Sequence, residues 1–427
     1  MSEQISAVLK RILNGLSAYG EIDAETRRNA LKEELQFYVL NFIYHHPEYN
    51  GWIMYGGSAL RIIHDLNRMS VDLDFEVSHP VTNKFLEKLK KEVEKHFVNT
   101  YNADSTFLTI KITTGRGLTL KFHIGEALDL GHASNQVHVK IDLNHFIAPK
   151  ITTERRPINH SQLSFVILTY NMGALMASKL AAIFLRGTRG VGKAVYEEKG
   201  RDIYDLLWYM SKKTIPDFDY LTAKGIDAKD PRTLFDKLTI QMNKVSNENL
   251  KNDLSLLFVN RMFIEDWLKN WRESYFQLLN GYKIHTVKSL KRIGISQDFH
   301  SDNYIFTYSY ETEDGESVRI VYTISDYWIN FLEGGLPIEI DKSLEDKIEF
   351  GDTRWSTHSA PGETLKRYAA LFNQKNEKYF KKINRIILGN GIATKVIRMT
   401  ADNLNPNEQI LLNKSTLLSC ELNDLLK

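Results

Sequence analysis

Residues 55–77 read YGGSALRIIHDLNRMSVDLDFEV and hold the residue types with the clearest chemistry in the chain. Asp72 and Asp74 lie two apart in VDLDFEV, a run that alternates as a strand does. Side chains two apart on a strand leave the same face, about 6.6 Å apart along the backbone. Two carboxylates so placed can hold one or two Mg²⁺ (or Mn²⁺) ions, and without a cation they would repel and raise a pKa. Gly56 and Gly57 allow close approach of backbone to ligand. Ser58 suits the N-cap of a helix over 59–66, whose free N–H groups and partial positive charge fit a triphosphate. Its hydroxyl can add a hydrogen bond to a phosphate oxygen. The helix turns the chain back, so anion cradle and metal carboxylates can share one pocket. A Gly-Gly-Ser turn alone is common, and Asp-x-Asp alone is usually a solvated strand face. Their order and spacing between two strands is the specific part.

The segment resembles the nucleotidyltransferase motif of the polymerase-β superfamily, Gly-Ser followed by Asp-x-Asp. More narrowly, Gly56-Gly57-Ser58-Ala59-Leu60, then Arg68-x-Ser70, then Asp72-Leu73-Asp74-Phe75 resemble the AbiEii/AbiGii toxin family. These are the toxin halves of type IV toxin–antitoxin and phage abortive-infection systems. The leucine- and aromatic-rich residues 31–46 are similar to the family's first helix. A second block continues the likeness: Lys179 in ASKLAA, then RDIYDLL over 201–207. It runs over about residues 26–215, and 281–427 carry no matching motif.

The resemblance implies a metal-dependent transfer of a nucleoside monophosphate from an NTP, with release of pyrophosphate. The acceptor it implies is an RNA, such as a tRNA 3′ end, or a protein hydroxyl. A cognate antitoxin, often a DNA-binding repressor, would be the partner. Asp72 and Asp74 would hold the metal, and Asp142 in VKIDL is the candidate third acid, since an adjacent strand lies about 4.8 Å away. Gly56, Gly57 and Ser58 would seat the triphosphate, with Arg68 near the phosphates or Asp72. Lys179 and Arg186 are seven apart and share a helix face, where they can meet phosphate charge. Asp202 and Asp205, three apart, would orient the lysine or an arginine, or serve the acceptor as a base. The plainer reading of that block is two helices tied by salt bridges.

Two rival readings come from the same chain. Gly187–Lys193 matches G-x-x-x-x-G-K, most of a Walker A loop, which would make the protein a P-loop NTPase. However, Ala194 stands where a hydroxyl would hold Mg²⁺, and the preceding apolar run has helical period. The loop reads better as a basic connection that can meet phosphates. The other rival is a nucleotide- or nucleic-acid-binding protein without turnover.

The positioning elements can be read more coarsely. Helical period marks 26–46, 82–97, 162–186, 201–212, 231–245 and 248–279. Strands are expected at 52–55, 71–77 and 137–143, with hairpins around Gly115–Gly117 and Glu313–Gly315. A basic helix is expected near 363–386, where residues 375–385 interleave aromatics with basic residues, as nucleic-acid binders do. The expected fold is α+β: a polymerase-β-like core with a mixed sheet over 1–160, a helical bundle over 161–280 that completes the active site, and a C-terminal α+β region over 281–427.

Composition sets the outer bounds. With 55 Lys and Arg against 53 Asp and Glu the net charge is +2, so global charge does not announce a nucleic-acid binder. The single cysteine, Cys420, excludes an intramolecular disulfide framework and any cysteine-built cluster. No run of 18 apolar residues is present, and the first residues do not read as an export signal. A cytoplasmic enzyme with no membrane partner is expected.

Overall fold

The computed structural model describes residues 2–104, 106–124, 128, 136–146, 153–185, 199–227, 230–297, 303–313, 315, 317–325, 346–350, 383–388, 395–398, 410–413 and 416–420. The chain divides into two compact units, one of residues 1–229 with 233–279, the other of 230–232 with 280–427.

The first unit begins with helices α1 (Glu3–Ser17) and α2 (Ala24–His45), then strand β1 (Ile53–Tyr55), helix α3 (Gly56–His64) and strand β2 (Asp72–Val77). Helix α4 (Asn83–Tyr101) follows, then β3 (Leu108–Thr113), β4 (Gly117–His123), β5 (Gln136–His145), β6 (Thr153–His160) and β7 (Leu163–Tyr170). The remaining helices are α5 (Met172–Leu185), α6 (Gly200–Ser211), α7 (Phe218–Ala223), α8 (Pro231–Lys244), α9 (Asn247–Leu254) and α10 (Arg261–Asn280). The strands form a seven-stranded mixed sheet in the order β3-β4-β5-β2-β1-β7-β6. β2 runs parallel to β5 and antiparallel to β1, which is parallel to β7.

The pleat of β2 separates core from chemistry. Leu73, Phe75 and Val77 are buried, and Phe75 meets Tyr44 of α2 and Trp52. Asp72, Asp74 and Glu76 take the opposite face. Tyr220 of α7 reaches that face and donates to Glu76. Apolar α5 buries Leu175, Met176 and Leu180. Local signals end the elements where the physics requires: Thr82 accepts from the Phe85 N–H at the start of α4, and left-handed Asn102 closes it.

Two helix boundaries differ from the periodicity. The helix expected from 162 starts at Met172, because LSFVILTY over 163–170 is a strand paired with β6. A short apolar run does not distinguish strand from buried helix by period alone. The long helix expected over 248–279 is broken at a 3₁₀ turn, Ser255–Leu257, between α9 and α10.

In the second unit, β8 (Tyr282–Gln297), β9 (Asn303–Thr312), β10 (Ser317–Ser325), β11 (Ile348–Phe350), β12 (Ile383–Leu388), β13 (Lys395–Arg398), β14 (Ile410–Asn413) and β15 (Thr416–Cys420) form one eight-stranded sheet. The β9–β10 hairpin stands where the alternation places it. Most of the helix expected near 363–386 lies outside the described residues, and its last part is strand β12. No helix among the described residues is long and apolar enough to cross a membrane.

Candidate active site

The site is built on the corner where β1 passes directly into α3. Gly56 makes that corner with φ of 75°, a left-handed backbone that glycine adopts without a Cβ penalty. A Cβ on Gly56 would stand 2.8 Å from Oδ2 of Asp74, so the glycine is also what lets this carboxylate approach. A Cβ on Gly57 would meet Nη2 of Arg68 at 2.6 Å and Oγ of Ser70 at 2.9 Å. The corner glycines and the acids of β2 are therefore in one place.

Ser58 departs from its expected role. Helix α3 starts at Gly56 with Tyr55 at the cap position, so Ser58 sits inside the first turn and does not cap it. Its side chain is fully buried, donates to the carbonyl of Asp72 and lies 3.0 Å from Oγ of Ser70. It braces α3 against the strand that carries the acids. Backbone N–H groups of the first turn, which have no intrahelical acceptor, remain the natural donors to an anion.

Asp74 of β2 is in register with Asp142 of β5 on one side and Tyr55 of β1 on the other. Asp72 shares its face. Burial pushes the Asp74 carboxyl up to about 7, helped by the charges of Asp72 and Asp142 and opposed by Arg201 and Lys179. Asp142 is raised by burial and then by Asp72, with Lys140, Arg116 and Lys199 acting against the rise. Nη1 of Arg201 lies 3.7 Å from Oδ2 of Asp72. Opposite Asp142 stands Gly117, where a Cβ would fall 1.8 Å from the carbonyl oxygen of Ile141.

Among the described residues no group of three or more His, Cys, Asp or Glu side chains closes into a metal centre by itself. The donor set nevertheless suits Mg²⁺ or Mn²⁺. Mg²⁺ ordinarily takes one or two carboxylates and fills its shell with water and substrate phosphates. Burial lifts Asp74 to about 7 with the help of the Asp72 and Asp142 charges, and a cation would relieve both the lost solvation and that repulsion.

Behind the acids lies a buried network of two cations and two anions. Arg68 donates from Nε to Oδ1 of Asp205 at 2.6 Å, from Nη2 to Oδ2 at 2.7 Å, and from Nη1 to the Met69 carbonyl at 2.8 Å. Nζ of Lys179 stands 2.8 Å from Oδ2 of Asp205 and 2.9 Å from Oδ1 of Asp202. Burial works against the lysine's charge, but Asp202 and Asp205 outweigh it and hold its pKa above the usual value. Arg68, expected at the phosphates or at Asp72, is 1% exposed and spends its donors on Asp205 and Met69. Asp205 is equally enclosed, with its oxygens held by Arg68 and Lys179. Lys179 reaches the acids electrostatically, since it lowers the Asp74 pKa.

Sequence reasoning passed over Glu76, although the alternation Asp72-x-Asp74-x-Glu76 signals it. It is fully buried, and it accepts from Tyr220 at 3.0 Å, from Lys224 at 2.8 Å and from Tyr170. Its charge is already met, which separates it from the two acids before it. Arg201 and Arg116 were also not assigned to the acids, because their proximity follows from long-range folding. Arg186 and the loop 187–193 lie outside the described residues. The element leading into that loop is helix α5, whereas a Walker A loop follows a strand, and this removes the P-loop reading.

A glycine corner facing strand-borne acids, on a mixed sheet covered by helices, is the arrangement expected for a nucleotidyltransferase. A family described as nucleotidyl transferase AbiEii toxin, type IV toxin–antitoxin system, matches residues 39–288, more than half of the chain. The chain belongs to this family of nucleotidyltransferases. It is also similar to the crystal structure of JHP933 from Helicobacter pylori, with 18% identity, 59% of this chain and 97% of that chain covered, and a TM-score of 0.30. A candidate nucleotidyltransferase structure from H. pylori gives 18% identity, 56% and 96% coverage, and a TM-score of 0.30. No curated protein matches the chain.

Proposed function

We propose that the protein transfers a nucleoside monophosphate from an NTP to an RNA, such as a tRNA 3′ end, or to a protein hydroxyl, as the toxin of a toxin–antitoxin pair used in phage defence. The oxygen of an acceptor hydroxyl forms a bond to the α-phosphorus and releases its proton to solvent, the bond from that phosphorus to the α–β bridging oxygen breaks, and pyrophosphate leaves. The observation that carries this reading is the meeting of Asp74 on β2 with Gly56 at the start of α3 and with Asp142 on the neighbouring β5.

A divalent ion, Mg²⁺ or Mn²⁺, held by Asp72 and Asp74 with Asp142 beside them, would supply positive charge at the phosphate oxygens. The chain supplies the rest. N–H groups of Gly57 and Ser58 at the start of α3 receive phosphate oxygens. Lys179, kept protonated by Asp202 and Asp205, adds fixed positive charge beside the acids. Arg116, Lys140, Lys199 and Arg201 act on the acids electrostatically and would balance the charge of triphosphate and acceptor. Positioning and charge stabilisation are the main demands of phosphoryl-type transfer. A cytoplasmic site of action, where NTPs and tRNA are found, and a cognate antitoxin belong to the same reading.

The test is incubation with Mg²⁺, each α-labelled NTP in turn, and either total tRNA or the protein alone. Labelled acceptor is expected, with yield reduced at least about 100-fold in Asp74→Ala, the scale of losing a group that stabilises the transition state. Transfer unaffected by Asp74→Ala would remove the site from the reaction, and NTP binding with no labelled product would leave a binding protein.

A further inference from the structure

The sheet face that carries the acids continues past Asp142 onto β4 and the edge strand β3. Strand pairing sets its rows. Asp72 is in register with Lys140 of β5, Lys140 with Thr119 of β4, and Thr119 with Lys111 of β3. The neighbouring row holds His138, Lys121 and Thr109. Three strand spacings of about 4.8 Å put the Lys111 backbone about 14 Å from that of Asp72. Alternation separates this face from the core. Ile110, Leu120, Phe122 and Val139 point the other way and are buried, with Phe122 meeting Phe97 of α4. Lys111 and Lys140 are exposed, and Lys121 is half-buried.

The outer face carries one sign of charge. Strands β3, β4 and β5 hold a single acid, Asp142, against Lys111, Lys121 and Lys140, with His123 and His138 among them. Arg116, in the turn between β3 and β4, is a further cation, and with Lys140 it opposes the raised pKa of Asp142. His138 is held below the usual histidine value, first by burial and then by the charges of Lys121, Arg28, Lys32 and Lys140. The lysines therefore act across strands as one field. A solvated surface ordinarily intersperses both signs. A one-signed strip that runs directly into a set of acids is suited to drawing in a charged ligand.

We propose that this face holds the phosphodiester backbone of the acceptor, which makes the acceptor an RNA chain rather than a protein hydroxyl. The proposal rests on the transfer reading above. The NTP is not the ligand of this strip. Its triphosphate belongs at the glycine corner between β1 and α3, on the far side of β2, whereas the strip runs from β5 to the opposite edge of the sheet. Cations spread over three strands match a chain of phosphates, which each lysine meets as a point charge. Thr119, in the row between Lys111 and Lys140, adds a hydroxyl donor. The chain enters over β3 and brings its terminal hydroxyl past Lys140 to the acids.

The test is fluorescence anisotropy of a 5′-labelled single-stranded RNA of about 20 nucleotides with the full-length protein, in the absence of NTP. Binding with a Kd below about 10 μM is expected at 50 mM salt. The triple variant Lys111→Gln, Lys121→Gln, Lys140→Gln should bind at least tenfold more weakly. Its slope of log affinity against log salt should be shallower by about 2, from three contacts at about 0.7 each. Lys111→Glu alone, on the exposed edge strand, should weaken binding at least threefold and covers a folding failure of the triple variant. The control is Lys84→Gln, Lys91→Gln, Lys95→Gln, which removes equal charge from exposed positions of α4, on the other side of the sheet. It should stay within threefold of wild type. Absence of RNA binding, binding undiminished in both strip variants, or equal weakening in the control overturns the proposal. Transfer of label to the protein itself without RNA binding would keep the transferase and remove this acceptor. RNA binding through the strip without labelled product would keep the surface and remove the transfer reading.

Discussion

Asp74 concentrates the electrostatic problem of the site in one side chain. Its carboxyl titrates near 7 in the fold, against an ordinary value of 3.8. Below pH of about 4 it is neutral in both folded and unfolded chains and has no effect on stability. Between about 4 and 7 only the unfolded chain ionises, so the folded state loses stability as pH rises, and above about 7 the penalty is complete. Asp74→Asn is therefore expected to raise the melting temperature of the metal-free protein at pH 8, with the gap closing as pH falls to 4. A gap that persists unchanged at pH 4 would show that this residue is not the strained one. Arg68 tests the opposite kind of charge. Arg68→Met leaves Asp205 buried with only Lys179, which it shares with Asp202, and should cost about 3–5 kcal/mol in denaturant unfolding. The double variant Arg68→Met, Asp205→Leu should recover part of that loss, because it removes a cation and an anion together. These two residues show what the sequence left hidden. Asp72 and Asp74 were legible because two-residue spacing on a strand dictates a shared face. The Arg68–Asp205 pair joins residues 137 positions apart, and no local pattern encodes that reach.

At the scale of elements, the site depends on backbones that come unusually close. The β4–β5 pair places Gly117 opposite Asp142, with φ of 156° and no room for a Cβ beside the Ile141 carbonyl. Gly117→Ala is expected to cost at least about 2 kcal/mol and to displace the strand carrying Asp142, so transfer activity should fall with stability. Wild-type melting behaviour in this variant would show that the two strands are less tightly coupled than the geometry demands. The β1–α3–β2 corner could be read in advance because it is contiguous and each piece carries its own signal. Ser58 differs from its expected role for a physical reason: serine before an apolar helical run suits a cap, but the left-handed Gly56 lets α3 begin three residues earlier. LSFVILTY over 163–170 is mostly apolar, so its pattern fits a buried helix as well as a strand, and pairing with β6 decides its conformation. Glu76 belongs to the same strand as the two open acids, yet Tyr170, Tyr220 and Lys224 close around it. Strand alternation predicts its direction and says nothing about those partners.

For the whole molecule, every acid, glycine and cation assigned to the reaction lies between residues 55 and 205, inside the first unit. The family match extends only to residue 288, shortly after that unit ends. The sheet of the second unit was legible only at its β9–β10 hairpin, because hairpins are local and its other pairings are long-range. A net charge of +2 on 427 residues leaves recognition to local fields such as the cations around the acids. Asp72 and Asp74, beside the glycine corner, are proposed to form a cation-dependent nucleotide cleft. Its most direct measurement is equilibrium binding of Mn²⁺, by electron paramagnetic resonance, in the presence of a non-hydrolysable NTP. Wild-type protein should bind the ion saturably, and Asp74→Asn should bind it at least tenfold more weakly while remaining folded. Equal Mn²⁺ binding by a folded Asp74→Asn variant would contradict the account.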